Sequence, residues 1–197
     1  KKRVRIPAAV CAVALCAAIA LTVSVFRSGA MAVAGLDVGQ GESVLLRCGE
    51  ELILVDCGGD SQTNAGDIAA DYIQNMGGQR LNLLVITHFH DDHANGVPQL
   101  LERVPVDAVA LPVVTEDSAL RQEIIAMAQK KQIPMQEIDQ DRTITLEQGG
   151  VLRLFAPLGA GETNEEGLSV LASSGEFDVL ITGDMGGDVE QLLLEHV

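Results

Sequence analysis

Tryptophan is absent from this chain of 197 residues, tyrosine occurs once and phenylalanine four times. Its 47% hydrophobic content is therefore mostly aliphatic, enough to bury one sizeable core and to form one soluble domain. Basic residues are scarce and unevenly placed. Of 13 Lys and Arg, five (Lys1, Lys2, Arg3, Arg5, Arg27) flank an N-terminal apolar segment, which leaves eight against all 28 acidic residues, an excess of 20 negative charges. This acidity counts against tight, metal-free DNA binding, which usually needs a basic stripe, although bound divalent cations can invert the potential at a site. The four cysteines build no framework. Cys11 and Cys16 lie inside the apolar segment, whereas Cys48 and Cys57 flank a hairpin without facing each other and are read as free thiols. No Cys-x-x-Cys occurs, so a structural zinc site is not indicated.

What is present begins with Lys1-Lys2-Arg3-Val4-Arg5 followed by Ile6 to Phe26, 21 residues without a charge and long enough to span a bilayer. The basic cluster ahead of it, against Arg27 alone behind it, places the N-terminus in the cytoplasm and the following domain outside. Residues 1–27 are thus expected to be a transmembrane anchor and 28–197 the domain. A cleaved secretory signal ending near Ser28-Gly29-Ala30 is the alternative. No Met precedes Lys1, so the sequence is expected to begin inside a longer protein.

Met31 to Asp37 reads as a first strand running into the turn Asp37-Val38-Gly39-Gln40-Gly41, and Ser43 to Asp56 as a hairpin turning at Gly49-Glu50. Gly66 to Met76 is expected to be a helix with Ile68, Tyr72 and Met76 inward and Ile73 beside them, and 115–132 another, capped by Thr115 or Asp117 with Leu120, Ile124 and Met127 inward. Short strands are read at 106–111, 135–138, 143–146 and 151–155, with a helix over 97–103. This alternation fits an α/β sandwich.

The chemistry-bearing stretch is Thr87-His88-Phe89-His90-Asp91-Asp92-His93-Ala94-Asn95-Gly96, directly after the apolar strand Leu81 to Ile86. Three of the four histidines fall within six residues. In an extended stretch residues two apart share a side, so His88 and His90 can hold one metal ion, while Asp92 and His93 reach a second after a turn. Imidazole and carboxylate suit zinc, manganese or iron, and two such ions about 4 Å apart supply a nucleophile without serine or cysteine. A second apolar strand, Phe177 to Ile181, delivers Gly183-Asp184 to a sheet end.

His88-x-His90-x-Asp92-His93 resembles the signature of the metallo-β-lactamase superfamily. The resemblance implies an αββα four-layer sandwich with the site at one edge of two sheets. It makes His88, His90, Asp92, His93 and Asp184 the metal ligands, Asp184 bridging two divalent ions (zinc or manganese), and Asp92 also catalytic. Asp56 would support the metal loop from behind by hydrogen bonds, and Asp37 and Asn164 are candidate cleft residues. Asn164 falls where most of the superfamily has a further histidine. The succession Leu36-Asp37-Val38-Gly39-Gln40-Gly41, hairpin, Val55-Asp56-Cys57-Gly58-Gly59 is similar to the extracytoplasmic domain of ComEC-type DNA-uptake (competence) proteins, whose pattern has asparagine and serine in that region. Asn164 matches; Gly167 stands where the serine is expected. The family pattern also continues past Gly-Asp with a helix, a strand and a His-bearing loop, so a C-terminally truncated domain with an incompletely held second ion is expected; His196 is given no role.

These residues imply a metal-dependent hydrolase, a nuclease acting on single-stranded DNA during uptake at the cell membrane, with other DNA-uptake proteins as partners. Two alternatives stay open: hydrolysis of a non-nucleic-acid ester or amide, and a catalytically vestigial scaffold of a DNA channel.

Overall fold

Met31–Gly35 forms β1, and the expected hairpin forms as β2 (Val44–Cys48) and β3 (Glu51–Val55), joined at Gly49-Glu50. The computed structural model describes residues 10–18, 31–60, 62–115, 117–161 and 164–197. The chain continues through α1 (Ala65–Asn75), β4 (Leu83–Val85), α2 (Asp91–Ala94), α3 (Val97–Arg103), β5 (Val109–Pro112), α4 (Ala119–Lys130) and β6 (Met135–Ile138). It then runs through β7 (Arg142–Thr145), β8 (Val151–Phe155), β9 (Ser169–Ser174), β10 (Phe177–Ile181) and α5 (Gly187–His196). Strands β1 to β6 make one sheet in chain order, antiparallel at β1–β2–β3 and parallel from β3 to β6. A second, antiparallel sheet has the order β10-β9-β8-β7.

The two-residue period of the strands divides the core into layers. On the first sheet Leu45, Leu52, Leu54, Leu84, Val109 and Leu111 turn toward the helices, where they meet Ile73, Leu100 and Ile124. Their neighbours Leu46, Ile53, Val55, Val85 and Ala110 turn the other way, onto Leu152, Leu154, Val170 and Ile181 of the second sheet. Phe155 and Leu171 on the second sheet's outer face meet Val189 and Leu193 of α5. Helix, sheet, sheet and helix are thus stacked in four layers, as the motif implied. At about 1.5–3 kcal/mol for each fully buried aliphatic side chain, this burial is what binds the layers.

The structure corrects the sequence reading on two helical details. In α1 the buried residues are Ala65, Gly66, Ala69, Ala70 and Ile73, while Tyr72 is exposed. The reason is a close approach: a Cβ on Gly66 would lie 2.2 Å from the carbonyl oxygen of Gly96 at the start of α3. Ala65, Ala69 and Ala70 line that approach, Ile73 is buried, Ile68 and Met76 pack partly buried against the core as expected, and Tyr72 alone of the expected residues turns outward. Helix α4 is capped by the Ser118 hydroxyl, which accepts from the Arg121 N–H at 3.1 Å. Thr115, the expected cap, instead donates its N–H and hydroxyl to Glu166. Ile124 and Ala128 are the fully buried residues of α4, with Leu120 and Met127 packed partly buried against the core as expected.

Residues 10–18 are helical and exposed, and no helix among the described residues is long and apolar enough to cross a membrane. The rest of the expected 6–26 span and the Ser28-Gly29-Ala30 stretch lie outside the described residues. Cys48 and Cys57 are buried and free, as read from the sequence.

Candidate metal centre

Parallel strands β3 and β4 end side by side, which brings Asp56 next to Thr87; Asp56 then takes φ +58° as the chain leaves the sheet. Its buried carboxylate accepts from the Thr87 N–H at 2.7 Å (Oδ1), the Thr87 hydroxyl at 2.5 Å (Oδ2) and His93 Nδ1 at 2.7 Å (Oδ2). Burial pushes the Asp56 carboxyl upward, and the three donors work against that shift. With those donors in place, Asp56 supports the site from behind instead of reaching into it.

This network assigns the histidine tautomers. The Thr87 hydroxyl has one proton and gives it to Asp56, so its oxygen accepts from His88 Nδ1 at 3.1 Å. His88 therefore carries its proton on Nδ1 and presents a bare Nε2, which is buried without a hydrogen-bond partner. His93 likewise directs Nδ1 to Asp56 and Nε2 to Asp184 Oδ1, 3.2 Å away. Burial, followed by the neighbouring His93 and His90, lowers the pKa of His88 to about 3, which keeps it a neutral donor. Burial alone would lower His93 too, but the hydrogen bond and charge of Asp56, then Asp184 and Glu42, raise it to about 9.

Donor atoms of Asp92, His93 and Asp184 lie within 4.8 Å of one another, as do those of Asp56, His88 and His93. Asp184 arrives from the second sheet: Gly183 packs on Thr87, where an added Cβ would lie 3.0 Å from the hydroxyl. His90 caps α2, is exposed, and stacks edge-on against His88 with ring centroids 4.9 Å apart. The loop before β9 also reaches the site, since Leu168 N–H donates to the Thr87 carbonyl at 2.9 Å. A side chain at Gly167 would sit 3.9 Å from the His88 Cβ. In that loop Asn164 Oδ1 is buried without a partner. Asp37 is exposed on the β1–β2 loop, and the site's hydrogen bonds and ion pairs among the described residues do not include it. His196 pairs with Asp141 at 2.7 Å.

Sequence reasoning missed Glu42. Its Oε2 lies 3.5 Å from His93 Nδ1, and burial, then Asp56, outweigh the attraction of His93 and raise its pKa to about 7. The signal was an acid directly after the Gly39-Gln40-Gly41 turn, but nothing in the sequence placed that turn against the metal loop.

An unpartnered imidazole nitrogen of His88 at the end of a buried strand, next to His93, which itself converges with Asp92 and Asp184, makes a candidate divalent-metal centre in an αββα protein; this nitrogen and oxygen donor set fits such ions. The profile of the Metallo-beta-lactamase superfamily matches residues 36–196, and the chain belongs to that superfamily. Ribonuclease Z of Nocardia farcinica (strain IFM 10152) is 38% identical over 72 residues, 35% of this chain and 21% of that protein. The chain thus spans about a fifth of that relative's length. Among solved structures, CmlA, a diiron beta-hydroxylase from Streptomyces venezuelae, superposes with TM-score 0.55 and 20% identity over 84% of this chain and 32% of that one. The metallo-beta-lactamase fold protein YhfI from Bacillus subtilis does so with TM-score 0.52 and 15% identity, over 78% and 62%. A candidate metallo-beta-lactamase from Thermotoga maritima gives TM-score 0.54 and 16% identity over 84% and 90%. At these identities the solved structures speak to the fold.

Proposed function

We propose that this domain is a two-metal hydrolase that cuts phosphodiesters of single-stranded DNA. The observation that carries the reading is the bare, buried Nε2 of His88 beside the converging His93, Asp92 and Asp184. His88, His90 and His93 would hold the ions through imidazole nitrogen, and Asp92 and Asp184 through carboxylate. Divalent ions so placed supply Lewis acidity and an activated water, with zinc, manganese or iron all suited to the donors. Asp92, half-buried at the start of α2, would hold an ion and could accept a proton from the water that ion activates. Asp184, exposed at the rim with Asp92 and His93 beside it, would hold an ion with them and, by the family resemblance, bridge to the second.

The partial likeness to a ribonuclease Z supports a nucleic-acid ester over a small-molecule ester or amide. The surface offers few free cations for phosphate: Arg47, Arg80, Arg103, Arg121 and Arg142 all pair with neighbouring carboxylates. Attraction for the substrate would therefore come from the ions themselves. The similarity to ComEC-type proteins at Leu36 to Gly41 and Val55 to Gly59, with the apolar stretch 6–26, supports a role in DNA uptake on the outer face of the cell membrane. Other uptake proteins are the partners in this reading.

The test is metal analysis and hydrolysis of labelled single-stranded DNA by the full chain, with His88→Ala alongside. About two transition-metal ions per chain and cleavage reduced at least about 100-fold in the variant are expected. A metal-loaded protein that leaves DNA intact while hydrolysing a lactam or thioester would overturn the nuclease reading.

A further inference from the structure

Glu42 has no place in the ligand set, yet three independent contacts tie it to the site. Its N–H donates to the Asp92 carbonyl at 2.9 Å, and its carbonyl accepts from the Gly58 N–H at 3.0 Å. Its carboxylate lies 3.5 Å from His93 Nδ1. The preceding Gly41 makes this seat: a Cβ there would fall 2.5 Å from the Gly58 carbonyl oxygen and 2.6 Å from that of Asp92. The β1–β2 loop is therefore a strap laid across the backbone of the metal loop, with Glu42 as its only carboxylate turned toward His93.

We propose that Glu42 is a positioning residue for the ion held by Asp92, His93 and Asp184, an inference that rests on the two-metal reading. Asp56 and Glu42 both face the Nδ1–H of His93, at 2.7 Å and 3.5 Å. Asp56 is fully buried and already accepts from three donors, so it fixes the inner side of the ring. Glu42, 24% exposed, closes the side that faces the cleft. Together they keep the proton on Nδ1 and aim Nε2 at Asp184, while the strap's N–H sets the backbone that carries Asp92. Four carboxylates (Asp56, Glu42, Asp92 and Asp184) around one imidazole repel one another unless cationic charge sits among them, and a divalent ion supplies it.

The test titrates cobalt(II) into the metal-free full chain and into Glu42→Gln, following visible absorption and chelator competition, with thermal melting of the metal-free proteins as a fold control. The variant is expected to melt like the parent, to bind one ion as before, and to bind the other at least about 10-fold more weakly with an altered cobalt spectrum. Two unchanged affinities and an unchanged spectrum would overturn the role of Glu42 alone; a parent that binds no ion would overturn the two-metal reading itself. Nitrogen-15 NMR of the metal-loaded parent gives a second measure that needs no variant. A proton on His93 Nδ1 is expected, and a proton on Nε2 would overturn the inference.

Discussion

At the scale of single residues, one buried carboxylate governs the site. Asp56 reaches His93 directly and His88 through the Thr87 hydroxyl, so one group sets the proton position on both imidazoles. The metal-free site then binds protons where the loaded site cannot. With a folded pKa of about 9 against an ordinary value near 6.5, His93 contributes stability that is fully present below the lower value and lost as pH rises through the upper one. Metal binding must displace that proton, so affinity moves oppositely. Metal-free protein is expected to melt at lower temperature at pH 9.5 than at pH 6.5, while metal affinity rises across the same window with a proton released per chain. Calorimetry in buffers of different ionisation enthalpy reads the release directly.

At the scale of elements, the site depends on how closely three backbones approach. Helix α1 meets α3 at Gly66 and Gly96, and Gly96 N–H donates to the Cys57 carbonyl at 2.8 Å, so this packing anchors the downstream end of the metal loop. Glu166 clips the loop before β9 to the β5–α4 connection, accepting from Thr115 and from the Gly161 N–H at 3.1 Å. These bonds hold its carboxyl below the ordinary range. Replacing Gly66 by Ala forces backbone apart where no flexible side chain can yield. A loss of about 2 kcal/mol or more is expected in urea denaturation, with weaker metal binding, because the loop shifts with α3.

For the whole molecule, acidity is the dominant electrostatic fact. With Arg47, Arg80, Arg103, Arg121 and Arg142 paired and 28 acidic residues in the chain, the described domain has little basis for salt-sensitive capture of DNA. In chelator, affinity for single-stranded DNA measured by fluorescence anisotropy is expected to be weaker than about 10 µM, without the steep decline with salt that a basic binder gives. Adding manganese or zinc should restore binding. Tight, salt-sensitive binding without divalent ions would reveal a basic face and argue for the DNA-channel scaffold.

The local sequence determined much of this protein by itself. The close spacing of His88, Asp92 and His93 foretold a metal loop, because it is encoded within a few residues of chain, and the resemblance that this motif carries implied the four layers. It located Asp184 through the apolar strand before it, and Asp56 by the motif's resemblance. Only the tertiary structure decided which face of α1 is buried, because that depends on the nearness of Gly96 rather than on helical period. It alone separated His90, exposed at the cap of α2, from the buried His88 and His93, and left Asp37 outside the network. It alone brought Glu42 to His93, since 51 residues of chain separate them and only the strap across Gly58 and Asp92 closes that distance.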